Sequence, residues 1–539
     1  MRPRKKTRKK NQKTIREEAG EAIAAGGYGC VFRPAINCKG KIECLDISKK
    51  PYITKLMLTR NANDEMNEVK KLLPIIEKLP SKNRHFLLDG IFQPSSFGPL
   101  AKEDMKNFDN KCSNLMRKGI FANNVNDPKV MKNLSAIYIP DGGKTLGEFI
   151  RDIAYNKMKT PNSTENIGLM NWGLMNVIKN AIVPMNEAGL VHFDIKPDNM
   201  LIGIFDNKHS PNIKIIDWGL AVTHTQKTDI PIMASSRPFQ FNLPPSVILL
   251  QQHIEKYIIT LSKDFKTIDI PDIAYKTISA SILGKAVDSG FEGHMSHMIN
   301  SMAKLSNPFK IYNNISNIGL SNSCFKASTM SADYSINYVA EIIKKFSKIR
   351  GQTKNNVYLE FNKEKYYNEV FKYNCDIWGA LTTYSDFILN WKVGGNPEEM
   401  WNKSKVCMEM RKVLFKYCFS PRYASERIPI NELLKDMKEI SIICGITEKP
   451  QDMPMKTNME ITSKNTPNTY SSNESTKEMI VGPTTKNMFM KDKSTSKKSI
   501  SKKSISKKSN KSIIERSMTR RCPRGYKRIK NTRNCIRNK

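Results

Sequence analysis

The chain has no apolar run approaching the roughly 18 residues that a membrane-spanning helix needs, so no transmembrane segment is expected. It has no C-x-x-C pair either. Its eleven cysteines are an odd number scattered along the sequence. Neither Cys38 with Cys44 in NCKGKIEC nor Cys522 with Cys535 has zinc-site spacing. The cysteine pattern therefore predicts reduced thiols in a reducing compartment. No continuous apolar stretch follows the basic first residues, so a secretory signal is not expected, and a cytoplasmic or nuclear address follows. Acids are scarce: 51 Asp and Glu stand against 88 Lys and Arg, a net charge of +37.

That charge is concentrated at the ends. Residues 1–16 carry +9 with no acid, residues 491–539 carry +17, and the 474 residues between them carry only +11. From about residue 449 the chain is rich in Ser, Thr, Asn and Lys and poor in large apolar residues, a composition that cannot offset the entropy of ordering. Residues 496–509, SKKSISKKSISKKS, repeat with a period of five that fits neither helix nor strand. Such a segment is a flexible polycation suited to non-specific binding of nucleic acid or acidic protein through counterion release; it is equally compatible with a solubilising tail that has no dedicated partner. The sequence thus divides into a disordered basic arm at 1–19, a folded region at 20–448 and a disordered basic tail at 449–539.

Within the folded region strand patterns come first: EAIAAGGYGCVF, YITKLML and SAIYIP. DEMNEVKKLLPIIEKL is helical, with Met66, Val69, Leu72, Leu73 and Ile76 on one face. The chain then becomes mainly helical. Four elements carry candidate chemistry. AAGGYGCV, residues 24–31, offers Ala24, Ala25, Gly26, Gly27, Tyr28, Gly29 and Val31 as a turn whose glycines admit close approach of phosphate, although a tight hairpin explains it equally well. Lys55 sits in an apolar strand, where its ammonium needs a partner. Glu68 in the following helix is the expected partner, with Glu65 as runner-up one turn earlier. The fourth element is VHFDIKPDNMLIG, residues 191–203, continued by NIKIIDWGLA at 212–221. Here Asp194 and Asn199 share a loop with Lys196, and Asp217 follows a buried-looking strand, the place for a magnesium-holding carboxylate.

In these motifs the chain resembles the eukaryotic-type protein kinases. HFDIKPDN stands where that family has H-R-D-L-K-P-x-N and IDWG where it has D-F-G, and the glycine turn and strand lysine precede them in the same order. RPFQFNLPPSV, CDIWGAL and ERIPINELL resemble later family segments, so the resemblance covers about 20–445. GGYGCVFRPAINC, YITKLM and RPFQFNLP further resemble the serine/threonine kinases of large cytoplasmic DNA viruses. The resemblance implies an α+β, bilobal fold: an N-lobe at about 20–140 with a small antiparallel sheet and one key helix, and a larger helical C-lobe at about 144–448. It implies ATP and Mg²⁺ as cofactors and protein substrates with Ser or Thr acceptors, and, for a viral chain, the host cytoplasm or the virion. Asp194 would be the base and Lys196 would steady the γ-phosphate; Asn199 and Asp217 would hold Mg²⁺; Lys55, paired with Glu68, would grip the α- and β-phosphates. Backbone groups from Tyr138 and Ile139 to Asp141 would meet adenine.

The sequence departs from the family in several places. Phe193 replaces the arginine of H-R-D, which predicts activity independent of phosphorylation at activation-segment residues such as Thr225, Thr228 or Ser235. Trp218 is larger than the usual phenylalanine. Ser246 replaces the glutamate of A-P-E and leaves Arg427 without its usual partner. An insertion at about 251–370 has the patterning of packed helices (IAYKTISASILGKAV, INYVAEIIKKFSKI), and His294 and His297 in it fit a solvent-facing or core role better than a metal site. Three other readings stay open: a choline- or aminoglycoside-type small-molecule kinase, a catalytically inactive pseudokinase scaffold, and a nucleic-acid binder.

Overall fold

A computed structural model describes most of residues 20–448, together with 451–452, 526–528 and 535–537; the segments 1–19, 26–27, 40–50, 155–162, 224–229, 237–239, 287–300 and 306–329 are among those outside the described residues. The chain is a mixed α/β protein with small antiparallel sheets and many helices. The main sheet takes β1 (Glu21–Ala25), β2 (Gly29–Arg33), β3 (Tyr52–Leu58) and β4 (Leu134–Pro140) in that order, every pair antiparallel. Alternation gives it two unlike faces. Ala22, Cys30, Phe32, Leu56, Ala136 and Tyr138 are buried in one apolar cluster. Val31, Ile53, Lys55 and Ile139 point the other way and are only half-buried. Helix α1 (Thr59–Ile76) follows β3 directly, and its buried Ala62, Val69, Leu72 and Ile76 form one stripe.

Cys30 and Cys112 form a disulfide that pins β2 to the short helices Phe108–Lys111 and Ser113–Met116. This corrects the expectation of reduced thiols at these positions. The two residues lie 82 apart in sequence and meet only through the fold, so no local spacing announces them. Among the described residues Cys375, Cys407, Cys418 and Cys444 are in no disulfide.

The helical part is organised around two buried elements. Helix Ser163–Val177 continues through a π turn, Ile178–Ile182, and on to Glu187. It packs on Ile430–Ile443, where the buried Asn171 donates to the Met437 carbonyl (2.7 Å) and the Ser441 hydroxyl (2.8 Å). Helix Lys372–Leu381 is buried at every residue but Tyr373.

The insertion supplies helices Ile254–Ser262, Asp272–Ala286 and Met330–Phe346, as its patterning predicts. INYVAEIIKKFSKI is not helical to its end, however: Ser347–Arg350 pairs as a hairpin with Tyr358–Phe361. His294 and His297 lie outside the described residues. Ser246 and Arg427, expected from the resemblance to lack their usual contacts, each have another. Tyr366 donates its hydroxyl to the buried Ser246 (2.6 Å), while Arg427 stacks on Tyr373 (3.5 Å to the ring centre) and donates to the Glu369 carbonyl (2.8 Å).

Residues 460–539 form a separate unit. Within it Tyr526–Arg528 pairs antiparallel with Cys535–Arg537, a short ladder in a tail expected to be disordered throughout. The repeat at 496–509 lies outside the described residues. Among the described residues no helix is long and apolar enough to cross a membrane.

Candidate active site

The polar loop at 192–199 is held from below by one buried carboxylate. Asp376, on the buried helix Lys372–Leu381, accepts from the backbone N–H of His192 (2.8 Å), that of Phe193 (2.9 Å) and the Asn186 amide (2.8 Å). Burial pushes its pKa up; the His192 ring and these donors oppose that rise. His192 is fully buried, and burial pushes its pKa down, favouring the neutral ring. Its Nδ1 accepts from the Asp194 N–H (3.3 Å), which leaves the proton on Nε2, 3.1 Å from the Ile216 carbonyl. Phe193 adopts φ +62° and is fully buried against Phe371, so the position where the family has arginine is an apolar anchor.

These constraints fix Asp194, which is 4% exposed. Its Oδ2 accepts from Lys196 Nζ (2.7 Å) and Asn199 Nδ2 (2.8 Å), and Asn199 also donates to the Asp194 carbonyl (2.9 Å). Its Oδ1 accepts from Asn242 (3.1 Å). The N–H of Ile216 donates to the Asn199 carbonyl (3.0 Å), which ties the loop to the segment between the strand Ile213–Ile215 and Asp217. Asp217 has φ +65° and is exposed. Trp218 turns inward instead, its ring edge-on to His192 (4.7 Å) and tilted on Phe86 (5.8 Å). The fold therefore brings Asp194, Lys196 and Asn199 into direct contact, with Asp217 one residue beyond the Ile216–Asn199 backbone bond.

On the sheet, Lys55 pairs with Glu65 and not with Glu68. Its Nζ lies 2.7 and 2.6 Å from the two Glu65 oxygens. Glu65 sits three residues after Ala62 and four before Val69, at the edge of the buried stripe of α1. Glu68 is turned off that stripe and pairs with Lys71 in a largely exposed bridge. The Lys55 side is joined to the loop side through α1: Val69, Leu72 and Ile76 share one apolar cluster with Phe86, Ile215 and Trp218.

The turn between β1 and β2 is exposed at Ala24, Ala25 and Tyr28, while Gly26 and Gly27 lie outside the described residues. Gly29 has a structural reason to be glycine: a Cβ there would stand 2.3 Å from the Leu56 carbonyl oxygen. Val31 and Ile139 lie on the half-buried face with Lys55.

Tyr138 does not. Its side chain is buried on the opposite face, with its hydroxyl donating to the Ile36 carbonyl (3.2 Å), and its N–H and C=O are both paired with Phe92 (2.9 and 3.1 Å). Alternation then turns the backbone of Ile139 toward Ile53 in β3. The N–H of Asp141 is also taken, by the Pro51 carbonyl (2.9 Å). The backbone groups of Tyr138 and Ile139 that were expected to face adenine are therefore taken on the two edges of β4, as is the Asp141 N–H. What Ile139 offers the half-buried face is its apolar side chain.

The donor set fits Mg²⁺. Asp217 offers a carboxylate in the open; Asn199, whose amide nitrogen is committed to Asp194, turns its amide oxygen the other way. Among the described residues no three His, Cys, Asp or Glu side chains gather as a protein-only cage. One or two oxygen ligands completed by substrate phosphates is the usual manner of Mg²⁺ binding. Thr225 and Thr228 lie outside the described residues, and Ser235 ends the short helix Ile232–Ser235. Sequence reasoning singled out neither of two residues of the site: Asp376 and Asn242 were seen only as parts of the matching segments CDIWGAL and RPFQFNLPPSV. No protein-family model matches the chain, and no curated protein matches it.

Proposed function

We propose that the chain is an ATP-dependent serine/threonine protein kinase. The observation that carries this reading is the buried Asp194 carboxylate, oriented by Lys196 and Asn199 and tied through Ile216 to the exposed Asp217. Phosphoryl transfer asks little covalent chemistry of a protein; it asks for positioning and charge. The acceptor hydroxyl oxygen attacks the γ-phosphorus, the bond from that phosphorus to the β,γ-bridging oxygen breaks, and ADP leaves. Asp194 orients the hydroxyl and accepts its proton. Lys196 steadies the γ-phosphate, and Lys55, held by Glu65, meets the α- and β-phosphates. Asn199 and Asp217 would hold Mg²⁺, which when bound neutralises phosphate charge.

The Phe193 anchor and the Tyr366–Ser246 bond favour a site assembled without activation-segment phosphorylation. In this reading the basic ends act as non-specific tethers to polyanions. The test is purified full chain with Mg-ATP and a degenerate Ser/Thr peptide library, beside Asp194→Ala and a panel of choline and aminoglycosides. Peptide phosphorylation by the wild type and not by Asp194→Ala is expected. Transfer to the small molecules alone, or none to any acceptor, would sink the reading.

A further inference from the structure

Among the described residues Lys196, Asn199 and Asn242 donate to the Asp194 carboxylate, and they are not equivalent. Lys196 and Asn199 belong to the same loop, two and five residues away, so their bonds form whenever that loop folds. Asn242 comes from 48 residues further on, in FNLPPSV, so a different segment of the chain supplies its bond to Oδ1 (3.1 Å). The same Nδ2 lies 3.2 Å from the Ile195 carbonyl. With two acceptors facing the nitrogen, the amide must point its NH₂ inward; the flipped amide would set oxygen against two oxygens.

Asn242 is itself held. It is 9% exposed; the preceding Phe241 carbonyl accepts from Trp378 Nε1 (2.9 Å), and the following Leu243 is buried. Gly379 also packs so closely on Ile195 that a Cβ would stand 2.4 Å from that carbonyl oxygen. The Ile195 carbonyl is therefore met by both the helix Lys372–Leu381 and Asn242, and Asp194 is next to it in the chain.

We infer that Asn242 is a positioning residue for Asp194: it fixes the carboxylate rotamer and makes the reactive geometry depend on docking of the 240–247 segment. This rests on the kinase reading of the site. The segment that would lie beside a peptide acceptor thus reports its own placement to the base through the Asn242 amide.

The test compares Asn242→Leu, which keeps the volume and removes the donors, with Asn242→His, whose ring N–H stands at a similar reach from the backbone. Each is assayed as the full chain for kcat and for the KM of ATP with a peptide acceptor, with thermal unfolding measured in parallel. Asn242→Leu should lower kcat roughly 10- to 100-fold with the KM of ATP within about twofold, the range expected for a misplaced reactive group. Asn242→His should recover part of that loss. A merely structural role predicts instead that both variants lose activity in step with their melting temperatures, with no advantage for histidine. That result overturns the inference, as does a kcat for Asn242→Leu within about twofold of wild type. If the wild type transfers phosphate and the variants behave alike, only this inference falls; if the wild type transfers none, the kinase reading falls with it.

Discussion

The two sides of the candidate site are built on different physics. The loop side is over-determined: Asp376, His192, Asp194 and Asn199 are all 5% exposed or less, and each is tied by short hydrogen bonds. The sheet side rests on one ion pair, Lys55–Glu65, whose side chains are 14% and 28% exposed, and on a turn open to solvent. Buried polar networks hold one geometry because every alternative leaves a group unpaired; half-exposed pairs give way at little cost. The loop is thus preorganised, and the sheet side is left free to adjust.

The largest break in this contrast comes from Asp376→Ala. It leaves three buried donors without their acceptor and should cost about 3–5 kcal/mol in chemical denaturation, with loss of transfer activity. Opening the Cys30–Cys112 disulfide by the double serine variant should cost about 2–4 kcal/mol, because it closes a long loop of the unfolded chain. Denaturation of the two forms under oxidising conditions measures it; equal stability would remove the disulfide from the account of the sheet side.

Asp386 sharpens the contrast on the loop side. Burial, assisted by Asp198 and opposed by Arg151, pushes its pKa up to about 6 from 3.8. The folded state therefore favours the protonated acid, and this contribution to stability is present below about pH 3.8 and lost as pH rises to about 6. Asp386→Asn should be more stable than wild type by about 1–3 kcal/mol at pH 7, the gap closing toward pH 4. A gap that stays constant over that range contradicts the assignment.

The smallest effect separates neighbours on α1. Glu65→Ala should lower phosphoryl transfer by about tenfold or more, whereas Glu68→Ala, which breaks only an exposed bridge to Lys71, should leave it within about twofold. Reversal of that order would restore Glu68 as the partner of Lys55.

The same contrast explains what was legible in the sequence. The loop could be read because its groups lie within six residues, Asp194 to Asn199, so spacing alone nearly specifies their contacts. The four strands could be read from alternation. Glu65 and Glu68 could not be ranked, because a helix rotates about 100° per residue and the decision rests on which side α1 buries, a tertiary fact. Tyr138 could not be placed for a related reason: the partner of its backbone on the outer edge of β4, Phe92, lies 46 residues earlier, outside the strand pattern. Cys30–Cys112 and Asn242–Asp194 are contacts across 82 and 48 residues, and nothing nearby in the chain encodes them.

The central claim is that Lys55, on the sheet, and Asp217, beyond the loop, serve one nucleotide. Calorimetric titration of Mg-ATP into the wild type, Lys55→Met and Asp217→Asn tests it most directly. The account predicts saturable one-site binding by the wild type and affinity weakened about tenfold or more in each variant. Wild-type affinity in both variants, or no binding by the wild type, would contradict it.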